Sequence, residues 1–104
     1  MSNQRIEKLQ RLAGQKPNDP FLLYALALEY RKEALEEGAE RYFQKLIDEH
    51  PGYVPVYFQF GQFLVDLGRE DEATTVLRNG REVAREQGDS KAESEIEALL
   101  DTLA

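Results

Sequence analysis

The chain has 104 residues, 41% hydrophobic and 32% charged, with 20 acidic against 13 basic side chains and a net charge of −7. That length suits one small domain, and the composition is too apolar for a disordered segment. The absence of cysteine excludes a disulfide framework, a zinc ribbon and a thiol nucleophile, while the acidic balance argues against nucleic acid, whose phosphates need a basic face.

Residues 3–13 place Ile6, Leu9, Leu12 and Ala13 on one face, which predicts a short N-terminal amphipathic helix. Arg5, Lys8, Arg11 and Lys16 against Glu7 make residues 1–16 basic. A second helix is predicted from Pro20 to about Glu33, with Asp19 as N-cap and Pro20 at the first helical position, where a missing N–H costs nothing. Its apolar residues Phe21, Leu22, Leu23, Tyr24, Leu26, Leu28 and Tyr30 cover most of its circumference, so it needs neighbours on several sides.

The third helix, Glu36 to Glu49, is one-sided, with Ala39, Tyr42, Phe43, Leu46 and Ile47 at helical spacing, and Pro51-Gly52 ends it. Pro55 opens a fourth that runs to Leu67, with Gly68 as its stop. Val54, Val56, Phe58 and Phe60 alternate as a strand would, yet Phe63, Leu64 and Leu67 continue at helical spacing and favour the helix. The fifth runs from Glu70 to about Gln87 on a stripe of Ala73, Val76, Leu77, Gly80, Val83 and Ala84. A sixth, residues 90–103, carries Ala92, Ile96, Leu99, Leu100 and Leu103 on one face and acids on the other. Ser90 and Glu93 stand in capping-box spacing at its start.

The sequence repeats with a period of 34. Pro17 and Pro51 set the offset, and it superposes Leu9, Phe43 and Leu77, then Leu23 and Tyr57, Leu26 and Phe60, Ala27 and Gly61, Tyr30 and Leu64, and Ala39 and Ala73. The expected organisation is a single all-α domain over 1–104. It has an N-terminal helix at 3–13, repeat units at 20–53 and 54–87, and a terminal capping helix at 89–104 with a polar outer face.

These units resemble tetratricopeptide repeats, whose pattern is W-x2-L-G-x2-Y, A-x3-F, a small residue and P. The first unit reads Leu23, Leu26, Ala27, Tyr30, Ala39, Phe43, Leu46 and Pro51; the second reads Tyr57, Phe60, Gly61, Leu64, Ala73, Leu77 and Gly80, with Arg85 at the proline position. Ala34 stands where the first inter-helix turn usually has glycine, which predicts a distorted loop, and Arg85 lets the fifth helix run on.

The resemblance implies a helical superhelix and a protein-interaction module that takes a peptide or protein segment in a groove lined by the first helix of each unit. Carried over by position, the partner-binding residues are Phe21, Tyr24, Leu28, Arg31 and Lys32, with Pro55, Phe58, Gln62, Val65 and Asp66 from the second unit. The family's mode that clamps a terminal carboxylate with lysines and asparagines is not expected, because Tyr24 and Leu28 occupy those places. An apolar or amphipathic segment suits the residues better. The alternative is a small structural protein that self-associates as a homodimer, through this apolar stripe or its terminal helices.

No enzyme activity, cofactor or metal is expected. His50 is the lone histidine, and a metal site needs three or four convergent ligands. Ser2, Ser90 and Ser94 lie in polar stretches; Glu36, Glu37, Glu40, Glu70, Asp71 and Glu72 cluster at helix starts, where they complement the helix dipole. No run approaches a membrane span, and the Met1-Ser2-Asn3-Gln4-Arg5 start lacks a signal's apolar core, which points to the cytoplasm.

Overall fold

The computed structural model describes residues 3–104. It has six α-helices: α1 (Gln4–Gln15), α2 (Pro20–Lys32), α3 (Glu36–Glu49), α4 (Pro55–Asp66), α5 (Glu70–Glu86) and α6 (Ser90–Leu103). No strand occurs among the described residues, so Val54 to Phe60 enters a helix despite its alternation. Several ends shift by one residue, α4 for example stopping at Asp66 rather than Leu67, and two differences have a physical reason. Helix α1 continues past Gly14 to Gln15, because a helical glycine costs only about 1 kcal/mol relative to alanine and nothing breaks the ladder before Pro17. The α6 cap is Asp89, not Ser90: the Asp89 carboxylate accepts from the Ala92 N–H at 3.1 Å. Glu93 is drawn instead to Arg85, whose Nε lies 2.9 Å from it, so no capping box closes.

Other ends follow the chain's chemistry. Asn3 caps α1 by accepting from the Arg5 and Ile6 N–H groups, and Asp19 caps α2 by accepting from Phe21 N–H. Three helices end in the same device. The N–H of the second residue past the helix cap returns to a carbonyl five residues back: Leu35 to Tyr30, Arg69 to Leu64 and Asp89 to Ala84, each at 2.9 Å. This Schellman closure needs a left-handed residue at its centre. Gly68 (φ 76°) and Gly88 (φ 71°) supply it for α4 and α5, and Ala34 (φ 59°) supplies it for α2. The loop with the missing glycine is therefore not distorted as expected: it keeps the geometry of the two glycine turns, with a strained alanine inside it.

The chain divides into two compact units, Met1–His50 and Pro51–Ala104. In the first, α2 packs against α1 and α3. Ile6 and Leu9 of α1 meet Leu22 and Leu26 of α2, with Leu12, Ala13, Ala25, Tyr30 and Tyr42 around them. Each large side chain so buried contributes about 1.5–3 kcal/mol. Glu29 is buried, and its carboxylate accepts from Arg5 Nε at 3.1 Å. Tyr30 stacks on Tyr42 with centroids 5.4 Å apart, and its hydroxyl accepts from Gln10 Nε2 at 2.8 Å. Gly38 is required here, since a Cβ would strike the Tyr30 ring.

In the second unit, α5 packs against α4 and α6, and α6 also touches α4. Two glycines exchange bulk across the α4–α5 contact. A Cβ at Gly80 on α5 would collide with Tyr57 Cβ on α4, and one at Gly61 on α4 would collide with the Leu77 side chain on α5. The first unit has Leu23 and Leu46, both buried, at the positions that hold Tyr57 and Gly80 in the second. A large–small pair is thus replaced by two side chains of intermediate size. The Tyr57 hydroxyl donates to the Pro51 carbonyl, and Gln87 Nε2 donates to the Gly52 carbonyl at 2.7 Å, tying both ends of the unit's first hairpin to its entry loop.

Arg85, at the position that proline would hold, allows α5 to reach Glu86 and joins it to α6 through Glu93 and Glu97 (3.7 Å). On α6 only Ile96 is fully buried. Extending the 34-residue register puts Lys91, Ser94, Glu95 and Ala98 where α4 has Tyr57, Phe60, Gly61 and Leu64. All four are solvent-facing or partly so, and the apolar face that would seat another helix is missing.

Candidate functional site

Helix α2 gives two faces to its neighbours, and a third is only partly covered. At about 100° per residue, Phe21, Tyr24, Leu28 and Lys32 form one row down that third face. Phe21 is 61% exposed, Tyr24, Leu28 and Arg31 are half-buried, and Lys32 is exposed, while Leu22, Leu23, Leu26 and Ala27 are buried. The row arises because α2 has apolar residues nearly all round, more than α1 and α3 can cover. Arg31 and Lys32 fall in the last turn, where cations complement the helix dipole.

Helix α4 repeats the arrangement within its own unit. Pro55 and Asp66 are exposed, Phe58, Gln62 and Val65 are half-buried, and Val56, Tyr57, Phe60, Gly61, Phe63 and Leu64 are buried. Gln62 Nε2 donates to Asp66 Oδ1 at 3.0 Å one turn on, which places a hydrogen-bonded polar pair beside Phe58 and Val65. Each row combines apolar area with one polar end, and neither contains an acid–base or nucleophilic constellation.

Sequence reasoning missed a different surface. In the first unit α1 and α3 stand apart, and a cleft of about 410 Å³ opens between them, lined by Gln10, Ala13, Gly14, Pro17, Leu23, Arg41, Tyr42 and Lys45. The available signal was Arg41 and Lys45, a basic pair one turn apart in a helix otherwise rich in acids. Leu35, the other large exposed apolar residue among the described residues, borders two further hollows beside Tyr30.

The chemistry-bearing residues do not converge. His50 is the C-cap of α3, with its backbone N–H on the Leu46 carbonyl. Ser90 and Ser94 are exposed on α6, and Ser2 lies outside the described residues. No cluster of three or more His, Asp or Glu side chains suited to a metal ion occurs among the described residues. Tyr57 and Arg85 are both shifted from their ordinary values, and both serve the scaffold. Burial pushes the Tyr57 hydroxyl up, and the hydrogen bond and charge of Glu93, with Glu82 and Glu97, push Arg85 up. No helix among the described residues is long and apolar enough to cross a membrane.

Paired antiparallel helices at a 34-residue period, closed by left-handed turns and carrying spare apolar rows on the first helix of each pair, define an α-helical repeat protein. The tetratricopeptide repeat family model matches residues 36–100. The chain is similar to the tetratricopeptide repeat domain protein of Salinibacter ruber. With its crystal structure it shares 36% identity over 82% of this chain and 94% of that one, at a TM-score of 0.76. With its solution structure the figures are 37%, 84%, 88% and 0.80. A protein of Bordetella parapertussis shares the fold at 21% identity, covering 99% of this chain and 89% of that one, with a TM-score of 0.82. No curated protein matches the chain. The chain belongs to the tetratricopeptide repeat family, whose members are in general non-catalytic scaffolds for protein–protein interaction.

Proposed function

We propose that this protein holds an apolar or amphipathic segment of a partner protein on the partly exposed rows of its first helices. The residues are Phe21, Tyr24, Leu28, Arg31 and Lys32 on α2, and Pro55, Phe58, Gln62 and Val65 on α4, with Asp66 at the edge. The observation that carries the reading is the row on α2: Phe21 at 61% exposure, followed one and two turns on by half-covered Tyr24 and Leu28. Such a row is costly to leave in water; complete burial of an exposed side chain of this size is worth about 1.5–3 kcal/mol, and these partly exposed ones gain a corresponding share when a partner covers them. The mode fits a helix laid along such a row, read through side chains three and four apart. The reading places the protein in the cytoplasm as a binding module without cofactor, membrane or nucleic-acid partner.

Partner capture from a lysate, identified by mass spectrometry, tests the proposal when repeated with Tyr24→Ala and Phe58→Ala. Loss of the same partner in both variants, with helical circular dichroism intact, is the expected result. A partner retained by both overturns it.

A further inference from the structure

We propose that the cleft between α1 and α3 is a second docking site, for an acidic peptide segment that presents one large apolar side chain beside a carboxylate. Its floor is apolar and rigid. Leu23 is buried, Ala13 and Tyr42 are half-covered, and Tyr42 is fixed by its stack on Tyr30, which Gln10 Nε2 holds from α1 at 2.8 Å. About 410 Å³ admits one or two side chains rather than a whole helix.

One wall is cationic. Arg41 and Lys45 both line the cleft, no acidic residue does, and this occurs in a chain whose net charge is −7. Lys45 leans toward Glu49 at 3.1 Å, whereas Arg41 has no ion-pair partner among the described residues. A guanidinium in the same cleft as an aromatic side chain suits a carboxylate, which it can meet with two parallel hydrogen bonds. The charge on the wall therefore selects an anionic segment, and the floor asks for an apolar anchor next to it.

Gly14 adds an independent observation. It sits inside α1 at the mouth of the cleft, where a Cβ would meet nothing within 4 Å and its backbone is ordinary helix. Packing gives no reason for glycine there, unlike Gly38, Gly61 and Gly80. Its effect is to lower one lip of the cleft so that a peptide backbone can approach closely.

The site is separate from the rows described above. On α2, Leu23 and Tyr30 project roughly 140° round the helix from Phe21, Tyr24 and Leu28. Occupancy of one leaves the other accessible on that helix.

The test uses fluorescence anisotropy with a labelled peptide of glutamates flanking a central Phe-Leu pair. Its all-glutamate counterpart and its lysine-flanked counterpart serve as controls. Saturable binding of the first peptide alone is expected. It should weaken about tenfold in Arg41→Glu, where attraction becomes repulsion, and fall as salt rises from 0.1 to 0.5 M. Gly14→Leu should block it, and the Arg41→Glu, Lys45→Glu double variant should turn preference toward the lysine-flanked peptide. Tyr24→Ala should leave it unchanged, which separates this site from the proposed function. Three results overturn the proposal: no binding, binding indifferent to Arg41→Glu, or binding lost in Tyr24→Ala. So does an Arg41-dependent rise in mass without peptide, which would make the occupant a second copy of the chain.

Discussion

Replacing Ala34 by glycine is expected to stabilise the protein. Ala34 occupies the left-handed centre of the turn after α2 with φ 59°, and is the only non-glycine residue with positive φ among the described residues. The left-handed conformation costs an L-residue about 1–2 kcal/mol, and glycine adopts it freely. Glycine also loosens the unfolded chain, which returns about 0.4–1 kcal/mol of that gain. The Ala34 side chain is exposed, so its methyl group adds little packing to set against the change. The net expectation is about 0.5–1 kcal/mol of added stability, a rise in melting temperature of roughly 2–8 °C for a chain of this size. Urea denaturation followed by circular dichroism measures it, with an unchanged slope showing that only stability has moved. Gly68→Ala supplies the mirror experiment, since that glycine has φ 76° and no neighbour within 4 Å of a new Cβ. By the same balance of backbone strain and unfolded-chain entropy it should lose about 0.5–1 kcal/mol. An Ala34→Gly protein no more stable than its parent, beside a weakened Gly68→Ala protein, would refute the reasoning.

Gly80→Ala should destabilise the second unit by about 2–3 kcal/mol, because the new Cβ meets Tyr57 at its backbone end, where nothing can swing away. Gly61→Ala should cost less, since it meets the outer carbons of Leu77, and thermal denaturation of the two variants checks the order. Tyr57→Phe should cost about 1 kcal/mol at neutral pH through its lost hydrogen bond to the Pro51 carbonyl. Because burial raises the Tyr57 pKa, its contribution is complete below pH 10 and is lost as pH rises through the folded value. The phenylalanine variant should therefore show a shallower alkaline decline in urea titrations. Arg85→Ala should speed amide hydrogen exchange in α6 while leaving α4 protected, because Arg85 joins α5 to Glu93 and Glu97; equal acceleration in both helices would contradict this.

The partly exposed rows of the candidate site were legible in the sequence because their logic is periodic. An excess of apolar residues round α2 already marks a face that its neighbours will not cover, and the 34-residue offset finds the matching row on α4. The α1–α3 cleft was not legible. It depends on how far apart two helices stand, and its parts come from three elements with no shared spacing: Gln10 and Ala13, Leu23, and Arg41 to Lys45.

The sequence by itself determined six helices, most of their ends, their pairing into repeats and the family. Those properties rest on local preferences and on periodicity, which need no knowledge of neighbours. Tertiary structure decided which side chains meet. Glu93 pairs with Arg85 of α5 rather than closing a capping box with Ser90. Arg5 reaches Glu29, and Gln10 reaches the Tyr30 hydroxyl, across 24 and 20 residues of sequence. Glycines 38, 61 and 80 each make room for a ring or a leucine on another helix. Contacts of this kind depend on the distance and rotation between helices, quantities that a one-dimensional pattern does not contain.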